Sequence, residues 1–104
     1  MTKFINLTPH TVVEMVTGEV FEPSGTVARV STHKSSRGDI GGVPVYVVTF
    51  GNVEGIPAPK EDIMYIVSGM VLEATDRKDV VAPGDLVRDK AGKPIGCKGF
   101  KVKG

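Results

Sequence analysis

Apolar positions along the chain recur with the two-residue period of strands, and no stretch keeps the three-to-four spacing of a long amphipathic helix. "YVVTF" (46–50) and "IMYIV" (63–67) are apolar on both faces, which predicts central strands covered on each side. "TVVEM" (11–15) and "TVARVST" (26–32) alternate instead. In the second, Ala28 and Val30 are expected to point inward and Arg29 toward water.

Turn signals separate these runs. "TGE" (17–19) can close a hairpin, and "EPSG" (22–25) is a turn in which Gly25 takes positive φ. "SSRGDIGG" (35–42) is polar and glycine-rich without a packing pattern, and is expected to form an exposed loop. "FGNVEGIPAPKED" (50–62) bends repeatedly, and Pro57 and Pro59 exclude a helix interior there. "MVLEATDRK" (70–78) allows one short helical turn, although "VLEAT" also serves as a strand. "DVVAPGDLVRD" (79–89) predicts a strand, a Pro-Gly turn at 83–84 and a second strand. "KAGKPIG" (90–96) turns again, and "CKGFKV" (97–102) is the last strand. The pattern predicts a mainly β fold, a small antiparallel, partly open barrel or sandwich of about six to eight short strands.

Composition narrows this picture. The 104 residues are expected to form a single β-rich domain spanning 1–104, and 40% hydrophobic with 24% charged residues is not the profile of a disordered chain. Thirteen glycines and seven prolines fit many short elements. With four Phe, two Tyr and no Trp, the core must come mainly from Val, Ile, Leu and Met. So short a chain buries a modest core, and a homo-oligomer is the expected way to bury more. The net charge of +1 gives no whole-domain argument for nucleic acid. With one cysteine, no signal-like N-terminus and no membrane-length apolar run, the expected location is a reducing cytoplasm, away from membranes.

Candidate chemistry is sparse. His10, His33 and Cys97 lack ligand spacing, so no metal is expected, and no cofactor. Cys97 sits between Gly96 and Lys98 and is expected to be a buried, inert thiol. No serine lies in a nucleophile elbow, and neither a dinucleotide fingerprint nor a Walker loop is present. Glu73, Asp76, Asp79, Asp85 and Asp89 supply an acid–base pair only if the fold joins them. Binding is therefore expected rather than catalysis. A pocket for a phosphorylated molecule can be assembled from Arg29, Arg77 and Arg88, whose planar forks suit phosphate, with Tyr65, Phe50 or Phe100 stacking a base. The competing expectation is that the rings fill the core and the arginines pair with Asp85 or Asp89. Lys98, Lys101 and Lys103 around Phe100 form a short basic patch, which ranks nucleic acid third among partners.

"NLTPHTV", "PSGTVARV", "FGNVEGIP", "YIVSGMVLEA" and "DVVAPGDLVRD" with "GKPIGCKGF" resemble segments of a small uncharacterised protein family of bacteriophages and prophages, across almost the whole chain. A narrower resemblance is to the phage anti-Thoeris proteins that sequester cyclic ADP-ribose signals. That resemblance implies a small, β-rich, oligomeric counter-defence protein. It would bind a nucleotide-derived immune signal in the host cytoplasm without cleaving it, with Arg29 and Arg88 as phosphate contacts. The alternative is a structural or protein-interaction module of phage origin acting through an exposed strand or oligomer interface.

Overall fold

The doubly apolar run at 63–67 is indeed a central strand, and the rest of the body is arranged around it. The computed structural model describes residues 2–103. Its elements are β1 (Lys3–Asn6), β2 (Val12–Glu14), β3 (Glu19–Phe21), β4 (Arg29–Ile40), β5 (Val43–Glu54), β6 (Ile63–Ile66), α1 (Gly69–Ala74), β7 (Val80–Arg88) and β8 (Pro94–Lys101). Among the described residues six strands form one sheet in the order β1-β6-β7-β8-β2-β3, and β4 and β5 form a separate two-stranded sheet.

The six-stranded sheet curls into a nearly closed, mainly β barrel with one open seam. There, β1 and the residues after β3 meet only at an isolated bridge between Asn6 and Pro23. Pairing is mixed rather than wholly antiparallel. β7–β8 and β2–β3 are antiparallel hairpins, whereas β1–β6, β6–β7 and β2–β8 run parallel. A parallel β6–β7 pair needs a crossover of a dozen or so residues. That requirement decides the ambiguous "MVLEAT" in favour of helix. Ser68 caps α1, its hydroxyl accepting from the Val71 amide at 3.3 Å. Val71 and Leu72 are buried beneath it.

Strand alternation sorts the apolar side chains into two clusters. Phe4, Val12, Phe21, Met64, Ile66, Val81, Cys97 and Phe100 pack together, and since all six strands contribute, this is the barrel interior. The rings of Phe4, Phe21 and Phe100 lie 5.2–5.6 Å apart in edge-on or tilted pairs. The second cluster lies outside the wall, where Tyr65, Val67, Val80 and Ala82 meet Val71 and Leu72 of the helix. Val30 and Val53, at the base of the β4–β5 hairpin, complete it. Ala28 is buried and Arg29 exposed, as the alternation predicts.

Beyond that base the hairpin leaves the body. The radius of gyration is 16.3 Å, against roughly 13 Å for a compact chain of this size. The difference is the arm, whose 12-residue strands extend roughly 40 Å at 3.3 Å per residue.

Three expectations fail here for physical reasons. "YVVTF" is not a covered central strand. It lies in β5, with Tyr46, Val48 and Phe50 about half exposed. "SSRGDIGG" is not a loop but the end of β4 and the hairpin tip. Its bulge is at Gly38, and Gly41 and Gly42 take φ of 58° and 81° in the two-residue turn that suits a twisted hairpin. The Pro83–Gly84 turn does not form either, since β7 continues through both residues. Flanking pairs place Gly84 opposite Gly99. A Cβ on Gly84 would stand 2.8 Å from the Gly99 carbonyl oxygen, so this glycine serves close approach of two strands rather than reversal.

Candidate functional site

Two polar side chains hold the barrel where its hydrogen-bonded ladders are thinnest. Asn6, at the end of β1, is 2% exposed and uses its full amide capacity. Nδ2 donates to the carbonyls of His10 (2.8 Å) and Phe21 (2.9 Å), while Oδ1 accepts from the Thr8 amide (2.9 Å) and hydroxyl (2.7 Å). It thereby fastens the open seam and folds the segment 8–10 into a fixed turn. Glu14 does the same between β2 and β8, which share a single registered pair. Its carboxylate accepts from the amides of Gly99 (2.8 Å), Val16 (3.0 Å) and Thr17 (2.7 Å), and from the Thr17 hydroxyl (2.9 Å). These bonds, the one from Gly99 foremost, lower its pKa to about 2.

The segment so fixed forms one wall of a cavity of about 820 Å³. Ser68 and Gly69 at the start of α1 form a second wall, and the β7–β8 hairpin forms the third. Val12, Leu86, Ile95 and the prolines 83 and 94 give it an apolar surface. Among the described residues, its ionisable lining consists of His10, Lys93, Lys101 and Cys97, with no Asp or Glu. Lys101 reaches over the helix start, its Nζ 3.6 Å from where a Cβ on Gly69 would stand. Cys97 lies in the wall but is buried, and desolvation pushes its thiol pKa up. A second cavity of about 310 Å³ shares Thr8, Pro9 and Ser68 with the first and is bounded by residues 27–30.

The side chains expected to bind a ligand do not converge on the larger cavity. Arg29 is exposed and lines the smaller one. Tyr65 is 1% exposed, its hydroxyl donating to the Ala58 carbonyl at 3.2 Å. Arg77 lies 5.8 Å over the Tyr65 ring and makes two bonds to Asp79, from Nε at 2.9 Å and from Nη2 at 2.5 Å. This pairing lowers the Asp79 pKa. Arg88 is exposed and donates to the Gly92 carbonyl within its own hairpin at 2.9 Å. Phe100 belongs to the barrel interior, and Arg88 pairs with Pro94 near the other end of β8. Phe50 stands on the arm.

The carboxylates are equally dispersed. Asp79 holds Arg77, Asp76 meets Lys103, Asp89 accepts from the amides of Ala91 and Lys93 in its own turn, and Asp85 stands opposite Lys98. The C-terminal lysines also separate. Lys101 lines the cavity, while Lys103 donates to the carbonyls of Glu73 and Thr75 at the end of α1, where a cation complements the helix dipole. Among the described residues no three His, Cys, Asp or Glu side chains group as a metal site would require. No helix among them is long and apolar enough to cross a membrane.

Lys93 and Lys101 were hidden in the sequence for different reasons. Lys93 reads as a turn residue in "KAGKPIG" and Lys101 as one of three tail cations. Only the β7–β8 hairpin brings their segments to the loop after β1. Compared with protein-family models, curated proteins and solved structures, the chain matches none.

Proposed function

We propose that the protein is a binding module whose barrel holds a small anionic, partly apolar molecule without converting it. The observation that carries this reading is the lining of the larger cavity: apolar walls, two lysines and a histidine, and no carboxylate. Its volume lies within the roughly 300–1,000 Å³ range of small-molecule sites. The absence of opposing carboxylates leaves the ammonium groups free to meet phosphate or carboxylate oxygens. Combined with the resemblance to phage proteins, the reading takes a specific form. The ligand is a nucleotide-derived immune signal of cyclic ADP-ribose type, sequestered in the cytoplasm of a phage-infected host. Lys93 and Lys101 then supply the phosphate contacts expected of Arg88, and Arg29 borders the site from the smaller cavity.

The test is calorimetric titration with cyclic ADP-ribose isomers, linear ADP-ribose, AMP and pyrophosphate, followed by heat denaturation and recovery of each ligand. Tight binding of one compound, recovered unchanged, is the expected result. Lys101→Ala and Lys93→Ala should each weaken it about 10-fold or more, the scale of one charge-assisted hydrogen bond. Arg88→Ala should leave it unchanged. Recovery of a cleaved product would make the protein an enzyme, and silence across the panel would remove this class of ligand.

The β4–β5 arm favours a second reading, that of a protein-interaction module. It projects apolar residues that the body does not cover, and monomeric proteins rarely leave such a surface without use.

A further inference from the structure

A two-stranded ribbon standing alone is marginally stable in water, yet this one extends well past its last contact with the core at Val30 and Val53. Its two strands differ sharply in chemistry. From Val43 to Phe50, β5 reads "VPVYVVTF" and carries no charge. Val43 and Val47 lie on one face, while Tyr46, Val48 and Phe50 lie on the other. Their cross-strand partners on β4 include His33, Lys34, Ser35, Ser36 and Asp39. Edge strands carry charged residues that discourage further pairing, as β4 does here, and an uncharged strand such as β5 suits the interior of a sheet. The arm therefore has the composition of one half of a four-stranded sheet divided down its middle.

We propose that the occupant of the free β5 edge is a second copy of this chain. The two β5 strands pair antiparallel about a two-fold axis near Val47, giving the strand order β4-β5-β5-β4 across the dimer. The inference rests on reading the arm as an interaction surface and is independent of any ligand in the cavity. Three observations select this occupant. The free apolar segment has Val47 near its centre. A two-fold there sets Tyr46 beside Val48 of the second copy on one face and Val45 beside Thr49 on the other, pairings of the aromatic and β-branched kind that stabilise sheets. The β4 edge carries the charged residues Arg29, Lys34, Arg37 and Asp39, whose desolvation opposes pairing there, whereas residues 43–50 of β5 carry none. The β5 residues nearest the axis, Tyr46, Val47, Val48 and Phe50, are 38–55% exposed, and the pairing covers part of each against its neighbour across the axis.

The experiment is sedimentation equilibrium of the full chain, with Val47→Lys and Val48→Glu as variants on opposite faces. Circular dichroism and the melting temperature monitor the fold of the body. The expected mass is twice 11.0 kDa for the parent chain. Each variant should dissociate at least about 100-fold more readily, because the two-fold sets its new charge close to its own image. In a parallel arm, Val47→Cys under mild oxidation should yield a disulfide-linked dimer, since directly opposed residues stand about 4.5–5.5 Å apart between Cα atoms. Lys34→Cys, on the outer strand, should not. A parent chain that stays monomeric at high micromolar concentration overturns self-pairing while leaving the arm open to a different partner. A dimer that persists in both charge variants overturns the arm reading itself, because the contact then lies elsewhere.

Discussion

Replacing Asn6 by alanine tests whether the barrel is held shut by one side chain. The substitution removes four hydrogen bonds, two donated to the carbonyls of His10 and Phe21 and two accepted from Thr8. At about 1 kcal/mol net for each bond, the loss is about 4 kcal/mol. A domain of this size has about 5–15 kcal/mol in total, so much of its stability depends on one residue. The corresponding fall in melting temperature is about 15–30 °C. Asn6→Asp sharpens the test because it keeps the shape and the two bonds accepted from Thr8. It sets an acceptor oxygen against the two carbonyls where Nδ2 had donated, and costs about 2 kcal/mol or more at neutral pH. Urea unfolding with both variants gives the free energies. Hydrogen exchange at the amide of Ser24, which donates to the Asn6 carbonyl at 3.0 Å, reports the seam directly. If Asn6→Ala costs under about 1 kcal/mol and that amide stays protected, the seam is held by other contacts and the reasoning is wrong.

Two further predictions concern groups that the fold has perturbed. The folded pKa of Glu14, about 2, lies below its ordinary 4.5. Its ionised form therefore contributes stability that is fully present above the ordinary value and lost as pH falls from 4.5 toward 2. Glu14→Gln should melt at a lower temperature than the parent at pH 7, and the gap should narrow on acidification. A gap independent of pH would refute a role for the charge. Cys97, buried with its thiol pKa pushed up by desolvation, should resist a thiol reagent in the native protein and react fully in urea. Rapid native labelling would show that the barrel wall opens around it.

The parts of the fold legible in the sequence are those set by local alternation and turn chemistry. "IMYIV" reads as a central strand and is one, because β6 finds both neighbours within the chain. Ala28 and Arg29 fall on the sides their alternation assigns, and the hairpin at 17–19 closes where glycine permits it, with Gly18 at a φ of 78°. The arginine pairing was legible in kind but not in partner. Arg77 takes Asp79, two residues away, because the turn before β7 brings the two side chains together, with the guanidinium over the Tyr65 ring.

What only the tertiary structure decided depends on which surfaces meet. "YVVTF" carries the same doubly apolar pattern as "IMYIV", yet it stands on an arm with neither face covered. Periodicity records that a strand suits cover on both sides, but cannot say whether this chain supplies it. The parallel pairings, the passage of β7 through Pro83 and Gly84, and the cavity's lysines all depend on long-range closure. So do the two latches. Asn6 reaches Phe21 across 15 positions of sequence, and Glu14 reaches Gly99 across 85. Neither residue is distinguished by its neighbours in the chain, because its role is to satisfy backbone groups that barrel closure leaves without a ladder partner.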